Sequence, residues 1–347
     1  MKEVSLQRIH MRQEAIMRKR HKANRKRKQY HLHKRRYKSV RSNKPQQRFV
    51  TTAPVEVFAP AHFTIQNLDR VLLFLDETER QINNSDTKIL KVNLDYVTEI
   101  DSYAISLLLS MLSRMSYKNI NYWGTYPNSQ GAKDFIIESG FLDVMKSNVR
   151  RPSKRRFSNR IFMIGKDSVD SHRIGKAVKE SMAFITGQED CYPPVYDNML
   201  EISANSVEHA NQKTKDKNWL VSITFEEDKV HYILTDTGLG ILSTLKKKFS
   251  QKVKDATIKT DAQILRDVFH REYQSASGEI NRYKGLPIIY ESFTEGYVSD
   301  LIVVTNKVYY DFENKNTKEL KRGYKGVLYS WTVSKVNYDK WYKSIEQ

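Results

Sequence analysis

Cysteine is almost absent from this chain: Cys191 is the only one. A single thiol excludes an intramolecular disulfide and a cysteine-built zinc cluster, and it makes a reducing, cytoplasmic setting the expectation. Long apolar runs are missing too. The opening residues lack the apolar core of a signal peptide, and no segment approaches the roughly 18 consecutive apolar residues of a membrane span, so neither secretion nor membrane insertion is expected. There is no GxxxxGK[ST] loop, no GxSxG and no paired CxxC, which removes support from several enzyme classes.

Acidic residues are scarce in one place only. Residues 1–48 carry 18 Lys/Arg against Glu3 and Glu14, whereas the remaining 41 basic and 38 acidic residues nearly cancel. The net charge of +19 is therefore mostly the property of a tail. Such a block repels itself and has too few large aliphatics for a core, so residues 1–50 are expected to be disordered or to fold on a partner. Clusters at Arg18, Lys19, Arg20, Arg25, Lys26, Arg27, Lys28, Lys34, Arg35 and Arg36, interspersed with Tyr30 and Tyr37, suit the phosphates of RNA or DNA. Binding to an anionic membrane surface, or a role in solubility alone, remains an alternative for the same charges.

The other 300 or so residues have the apolar content for two packed domains, with an overall figure of 39%. From Thr52 the pattern alternates: VEVFAP (strand), LDRVLLFLDETERQI (amphipathic helix), KILKVNL (buried strand), YAISLLLSMLSRM (buried helix), NINYWGTY (strand) and AKDFIIESGFLDVM, a helix stopped near Gly140. That order predicts an α/β domain over 51–147, with a mixed or parallel sheet. The basic, proline-containing stretch 148–160 reads as a linker. Over 161–340 a second α/β domain is expected. It begins with the strand IFMIG and helices near 172–186 and 196–211. The strands WLVSITFEE and KVHYILTD follow, joined at Glu227-Asp228. A polar stretch from 243 to 284 leads to a helix near 286–293 and the strands DLIVVTN and GVLYSWTV.

Within the second domain, EISANSVEHA places Glu201, Asn205 and His209 at i, i+4 and i+8, which drift by only about 40° per step around a helix and so share a face. By itself this stripe could simply meet solvent. The strand KVHYILTD, however, ends in Asp236 and runs into DTGLG, where Gly238 and Gly240 permit a tight turn and a close approach to a ligand. A strand-terminal carboxylate can accept from an exocyclic amine, although an Asp-capped turn would read the same way.

Together, in this order and spacing, the two stretches resemble the N box and G1 box of the GHKL ATPase superfamily, that of gyrase and the histidine kinases. The Glu-x3-Asn-Ser form is most similar to bacterial anti-sigma serine kinases. The resemblance implies a two-layer α/β sandwich of the Bergerat type that binds ATP and Mg²⁺. Glu201 would be the general base, Asn205 would hold Mg²⁺ on the triphosphate, and Asp236, with Gly238 and Gly240, would take the adenine. His209 would lie near the phosphates. Residues 241–284 would be the lid, closed by NRYKGLP. There Gly285 resembles a G2 box, and Arg282 and Lys284 would add charge at the phosphates. Gly326 resembles the last glycine box, with Val327 in place of the usual Thr.

KILKVNLDYVTEIDSYAISLLLSMLSR resembles a STAS domain, the fold of anti-anti-sigma factors, over roughly 54–146. In well-known members the second of two serines opening the helix is phosphorylated. Here that position is Tyr103, Ala104 replaces a glycine, and Ser102 would be the capping serine. The resemblance implies an interaction or dimerisation module whose switch is lost or changed. The functions it leaves open are an ATP-dependent regulator with a nucleic-acid-binding tail, a serine kinase, and a non-hydrolysing nucleic-acid-binding scaffold. Removal of residues 1–48 is expected to abolish retention on RNA or DNA at low salt. A filter-binding assay of the full and shortened chains reads this directly, and equal retention of both would refute the tail's role.

Overall fold

The computed structural model describes residues 53–142, 160–166, 168–208, 218–248, 259–270 and 285–346. They all lie within one compact unit, Thr52–Gln347, while Met1–Thr51 form a separate unit that contains the basic tail. The linker expected at 148–160 falls outside the described residues except for Arg160.

The amino-terminal half is a β/α arrangement. Strands β1 (Val55–Phe58), β3 (Ile89–Asn93) and β5 (Asn121–Gly124) form a parallel sheet in the order β1-β3-β5. Two very short strands, β2 (His62–Phe63) and β4 (Glu99–Ile100), pair beside it. The intervening helices are α1 (Leu68–Asn83), α2 (Ser102–Tyr117) and α3 (Gln130–Glu138). Parallel neighbours need a crossover, and α1 and α2 supply it. Helix α2 begins with Asp101 as its N-cap, not Ser102 as the sequence suggested. Asp101 is in the extended conformation, and its carboxylate accepts from the N–H of Ala104 at 2.8 Å and of Ile65 at 2.7 Å. Carboxylates are strong caps, and this one also ties down the preceding 3-10 turn.

The carboxy-terminal half contains a five-stranded antiparallel sheet in the order β6-β7-β8-β10-β9. Its strands are β6 (Arg160–Lys166), β7 (Asn218–Glu226), β8 (Lys229–Asp236), β9 (Ser299–Asp311) and β10 (Asn316–Ser334). Helices α4 (Ser171–Thr186), α5 (Pro193–Glu208), α6 (Ile241–Lys248), α7 (Asp261–Phe269), α8 (Gly285–Thr294) and α9 (Lys335–Glu346) complete the unit. One face of the sheet presents Val221, Ile223, Tyr232, Leu234, Tyr329 and Trp331 to α4, α5 and α8. Tyr232 and Trp331 stack there with ring centroids 5.5 Å apart.

The opposite face is apolar as well. Leu220, Ile233, Val304 and Leu328 share a core with Val71, Leu75, Leu108 and Met111 of α1 and α2. The two halves thus stack as parallel sheet, helices, antiparallel sheet, helices. Helix α2 lies between two sheets, which explains why residues 104–112 are buried without a break. Where α2 meets the antiparallel sheet it does so partly through small polar groups two turns apart. Ser102 Oγ lies 3.4 Å from Thr224 Oγ1 and Ser110 Oγ 3.1 Å from the Tyr324 hydroxyl. The Tyr103 hydroxyl contacts Ser330 at 2.9 Å and His231 Nε2 at 3.1 Å.

Three helices depart from the sequence reading. The polar stretch 243–284 includes helix α7, whose Ile264, Leu265, Val268 and Phe269 lie in the core at amphipathic spacing. It also starts with α6, which buries Leu242 and Leu245. Helix α9 was not expected; it docks through Tyr338 and Trp341 against the buried Tyr192. Its Tyr338, Trp341, Tyr342 and Ile345 do stand at i, i+3, i+4 and i+7, a helical spacing that the sequence reading passed over.

Tyr103→Phe removes the hydroxyl that links α2 to the sheet. His231 and Ser330 keep their own 2.7 Å contact, so neither is left without a partner. The expected cost is therefore about 1 kcal/mol, that of one net hydrogen bond, as a lowered midpoint in urea denaturation at unchanged slope.

Candidate functional site

Strand β8 alternates between the two buried faces, and this sets the direction of its last residue. Tyr232 and Leu234 face the helices α4 and α5, while Ile233 faces α1 and α2. Asp236 continues the first series, so its side chain points to α5. There its Oδ2 is 3.5 Å from the hydroxyl of Ser206. Its Oδ1 accepts from the backbone N–H of Gly238 at 2.8 Å and of Val327 at 3.0 Å. The half-buried carboxylate is thus held by one oxygen, while the other makes only the long Ser206 contact among the described residues.

Burial raises the pKa of Asp236 from its ordinary 3.8 to about 6, against the opposing pull of the Gly238 and Val327 N–H groups and the Ser206 hydroxyl. Strongly displaced carboxylates of this kind concentrate at binding and catalytic sites.

Two glycines make this approach possible. Gly326, at φ 137, passes so close that a Cβ would sit 2.1 Å from the Asp236 carbonyl oxygen. Gly240, at φ 82, faces the Asn306 side chain, which a Cβ would meet at 2.5 Å. Asn306 itself has φ 51, a conformation Asn tolerates better than most residues. Its Oδ1 accepts from the N–H of Leu242 at 3.0 Å and its Nδ2 donates to the Leu239 carbonyl at 3.1 Å and the Ser243 hydroxyl at 2.6 Å. One side chain from β9 thereby fixes the whole DTGLG turn and caps α6.

Glu201 and Asn205 lie one turn apart on α5, both half-buried, and Ser206 joins that part of the helix to Asp236. Gly285 is the first residue of α8, and Pro287 falls in its first turn. His209, Arg282 and Lys284 lie outside the described residues, as do the ten tail positions. Among the described residues no group of three or more His, Cys, Asp or Glu side chains could hold a metal ion. A cation on Asn205 would therefore need phosphate oxygens or water to complete its shell.

The reverse side of the turn is linked to α2. The Tyr324 hydroxyl, raised by burial to about 12, donates to the Asp236 carbonyl at 3.1 Å and also meets Ser110. One turn further on, Arg114 pairs with Glu79 of α1, and Lys325 pairs with Glu79 at 3.1 Å. Burial disfavours the ionised Glu79, but Arg114 and Lys325 outweigh it and hold its pKa below the usual value. Ser206, Asn306 and Tyr324 were not singled out in the sequence. Only Asn306 carried a signal, a left-handed-prone residue at the end of an apolar strand pattern.

No family model matches the sequence, and a search of curated proteins finds no match either. No helix among the described residues is long and apolar enough to cross a membrane.

The displaced pKa predicts a pH dependence. Asp236 takes up its proton near pH 6 when folded and near 3.8 when unfolded, so the folded chain binds more protons between these values. Stability from this group is therefore gained as pH falls through about 6 and lost as it rises. Asp236→Asn keeps the Oδ1 acceptor and removes the titration. The melting temperature of the wild type relative to this variant should rise between about pH 7 and pH 5 in thermal scans.

Proposed function

We propose that the chain is an ATP-binding regulatory protein of the GHKL type. In this reading Asp236 accepts the amine of the base, and Gly238, Gly240 and Gly326 leave room for a flat ring. Asn205 carries Mg²⁺ together with the phosphates, Glu201 acts as general base, and His209, Arg282, Lys284 and Gly285 attend the triphosphate. Bound Mg²⁺ would neutralise phosphate charge and orient the transferred group. The single observation that carries the reading is the environment of Asp236. A raised carboxylate ends a strand, is fastened by one oxygen to two backbone N–H groups, and turns the other towards the helix that bears Glu201 and Asn205. An amine donor would complete it.

The STAS-like half acts in this proposal as a permanently docked partner and not as a phosphorylation substrate. Tyr103 stands where the resemblance would put the modified serine, and its hydroxyl is engaged by Ser330 and His231 at the interface with the sheet. Exposing the eight or so apolar side chains of that interface to water again would cost about 1.5–3 kcal/mol each, a sum comparable to or larger than the net stability of a domain. Nucleotide state would act through the α2 network instead. The basic tail would recruit nucleic acid to the same chain.

Calorimetric titration with ATP tests this. The wild type is expected to bind ATP only weakly without Mg²⁺ and markedly better with it. Asn205→Ala should lose at least tenfold of the Mg²⁺-dependent affinity, while Glu201→Gln should bind normally and turn over no ATP. Absence of Mg²⁺-dependent binding in the wild type would refute the proposal.

A further inference from the structure

A cavity of about 990 Å³ opens on the other side of the DTGLG turn, between α1 and α2, α6, and the middle of β9 and β10. Asp236 separates it from the α5 side: the carboxylate points to Ser206, while Thr237, Gly238 and Leu239 line the cavity. Its volume is at the upper end of the range that takes a small-molecule ligand.

Charge in this cavity is one-sided. Seven Lys/Arg line it against three carboxylates, Asp76, Glu79 and Asp261. Each carboxylate is already engaged: Glu79 by Arg114 and Lys325, Asp76 by Lys325, and Asp261 by Lys246 at 2.7 Å. The Lys118 ammonium rests on the neutral side-chain oxygen of Asn83 at 3.1 Å. Lys321 lies near Asp69, which Lys318 already holds at 2.8 Å. No ion pair is formed by Lys307 or Arg322 with any described carboxylate.

The backbone is shaped to bring these cations together. Pairing between β9 and β10 slips three times, and two of the slips, between Glu319 and Tyr324 and between Tyr324 and Val327, lie at the cavity. The residues from Leu320 to Gly323 therefore bulge against Lys307 alone, and Lys321 and Arg322 project over the cavity. Bulges of this sort commonly re-aim side chains beside binding sites. Like charges gathered without counter-charges destabilise the folded chain unless an anion joins them.

We propose that this cavity is a second anion site, distinct from the Asp236 side, for a small ligand bearing two or more phosphate groups. Lys307 and Arg322 are its principal contacts, supported by Lys118 and Lys321. The guanidinium of Arg322 can take one phosphate by two parallel hydrogen bonds, and the ammonium groups take the others. Occupancy would bear on the turn from behind, where Tyr324 and Asn306 hold it. The site is argued independently of the ATP-binding proposal: Gly238 borders both, but Lys118, Lys307, Lys321 and Arg322 are not among the residues assigned to the nucleotide.

The test is a titration of the full-length chain with inorganic tripolyphosphate in EDTA. The basic tail is common to all variants, so its contribution cancels in the comparison. The wild type is expected to show a saturable site that weakens at least tenfold in Lys307→Gln/Arg322→Gln. Lys307→Arg/Arg322→Lys should retain it, and Asn205→Ala should leave it unchanged. Both cations are exposed, so the double variant should melt with the wild type. Equal binding by wild type and the Gln variant would overturn the proposal, and so would a loss in Asn205→Ala as large as in the Gln variant.

Discussion

Both faces of the five-stranded sheet are apolar, so neither can be left to water, and this requirement organises everything else. An antiparallel sheet usually keeps one solvated face, with polar residues alternating outward. Here Tyr232, Leu234 and Trp331 alternate with Ile233, Val304 and Leu328, and each series needs a cover. Helices α4, α5 and α8 supply one. The other comes from α1 and α2, whose far side is committed to the parallel sheet. Stability and architecture are thus shared between two halves that look in sequence like separate domains.

The same alternation decides where the site lies. Because Asp236 continues the series of Tyr232 and Leu234, its carboxylate is delivered to α5. Its carbonyl and the turn that follows are left to Tyr324 and the α2 side. A strand end therefore has two chemically different surroundings within a few ångströms. One is a carboxylate with a raised pKa; the other is a cation-lined cavity. Gly326 is the enabling residue, since any Cβ at this position would collide with the Asp236 carbonyl.

The interface between α2 and the sheet also has a definite character. Ser102, Ser110 and Arg114 recur at helical spacing and reach polar partners on β7 and β10, amid the aliphatic contacts. Small side chains let the helix come close, and their hydrogen bonds fix its register along the sheet. The bonds from Tyr324 to both Ser110 and Asp236 give the turn and the helix a common partner. A shift in either must be accommodated by the other, which is the physical content of coupling between them.

Periodicity in the sequence was sufficient for most strands and helices. β8 ends at Asp236 as its pattern indicates, and α2 was legible as a buried helix because its apolar residues are interrupted mainly by small serines. DTGLG also announced a tight turn through its glycines. Other features depend on partners far away in the chain. Asp101 caps α2 through the nearby Ala104 N–H, but its second bond, to Ile65, joins segments 36 residues apart. The helix over 261–269 is packed although its surroundings are polar, because short amphipathic segments gain their stability from the surface they meet. Asn306 fixes a turn 64 residues earlier, and no local pattern contains that information. Local spacing by itself determined which residues could form each element and which could offer a carboxylate, amide or glycine. Only the tertiary structure decided that the antiparallel sheet would be covered on both faces and that the turn after Asp236 would face two ways. The reason is that burial, charge compensation and close backbone approach are properties of pairs of segments.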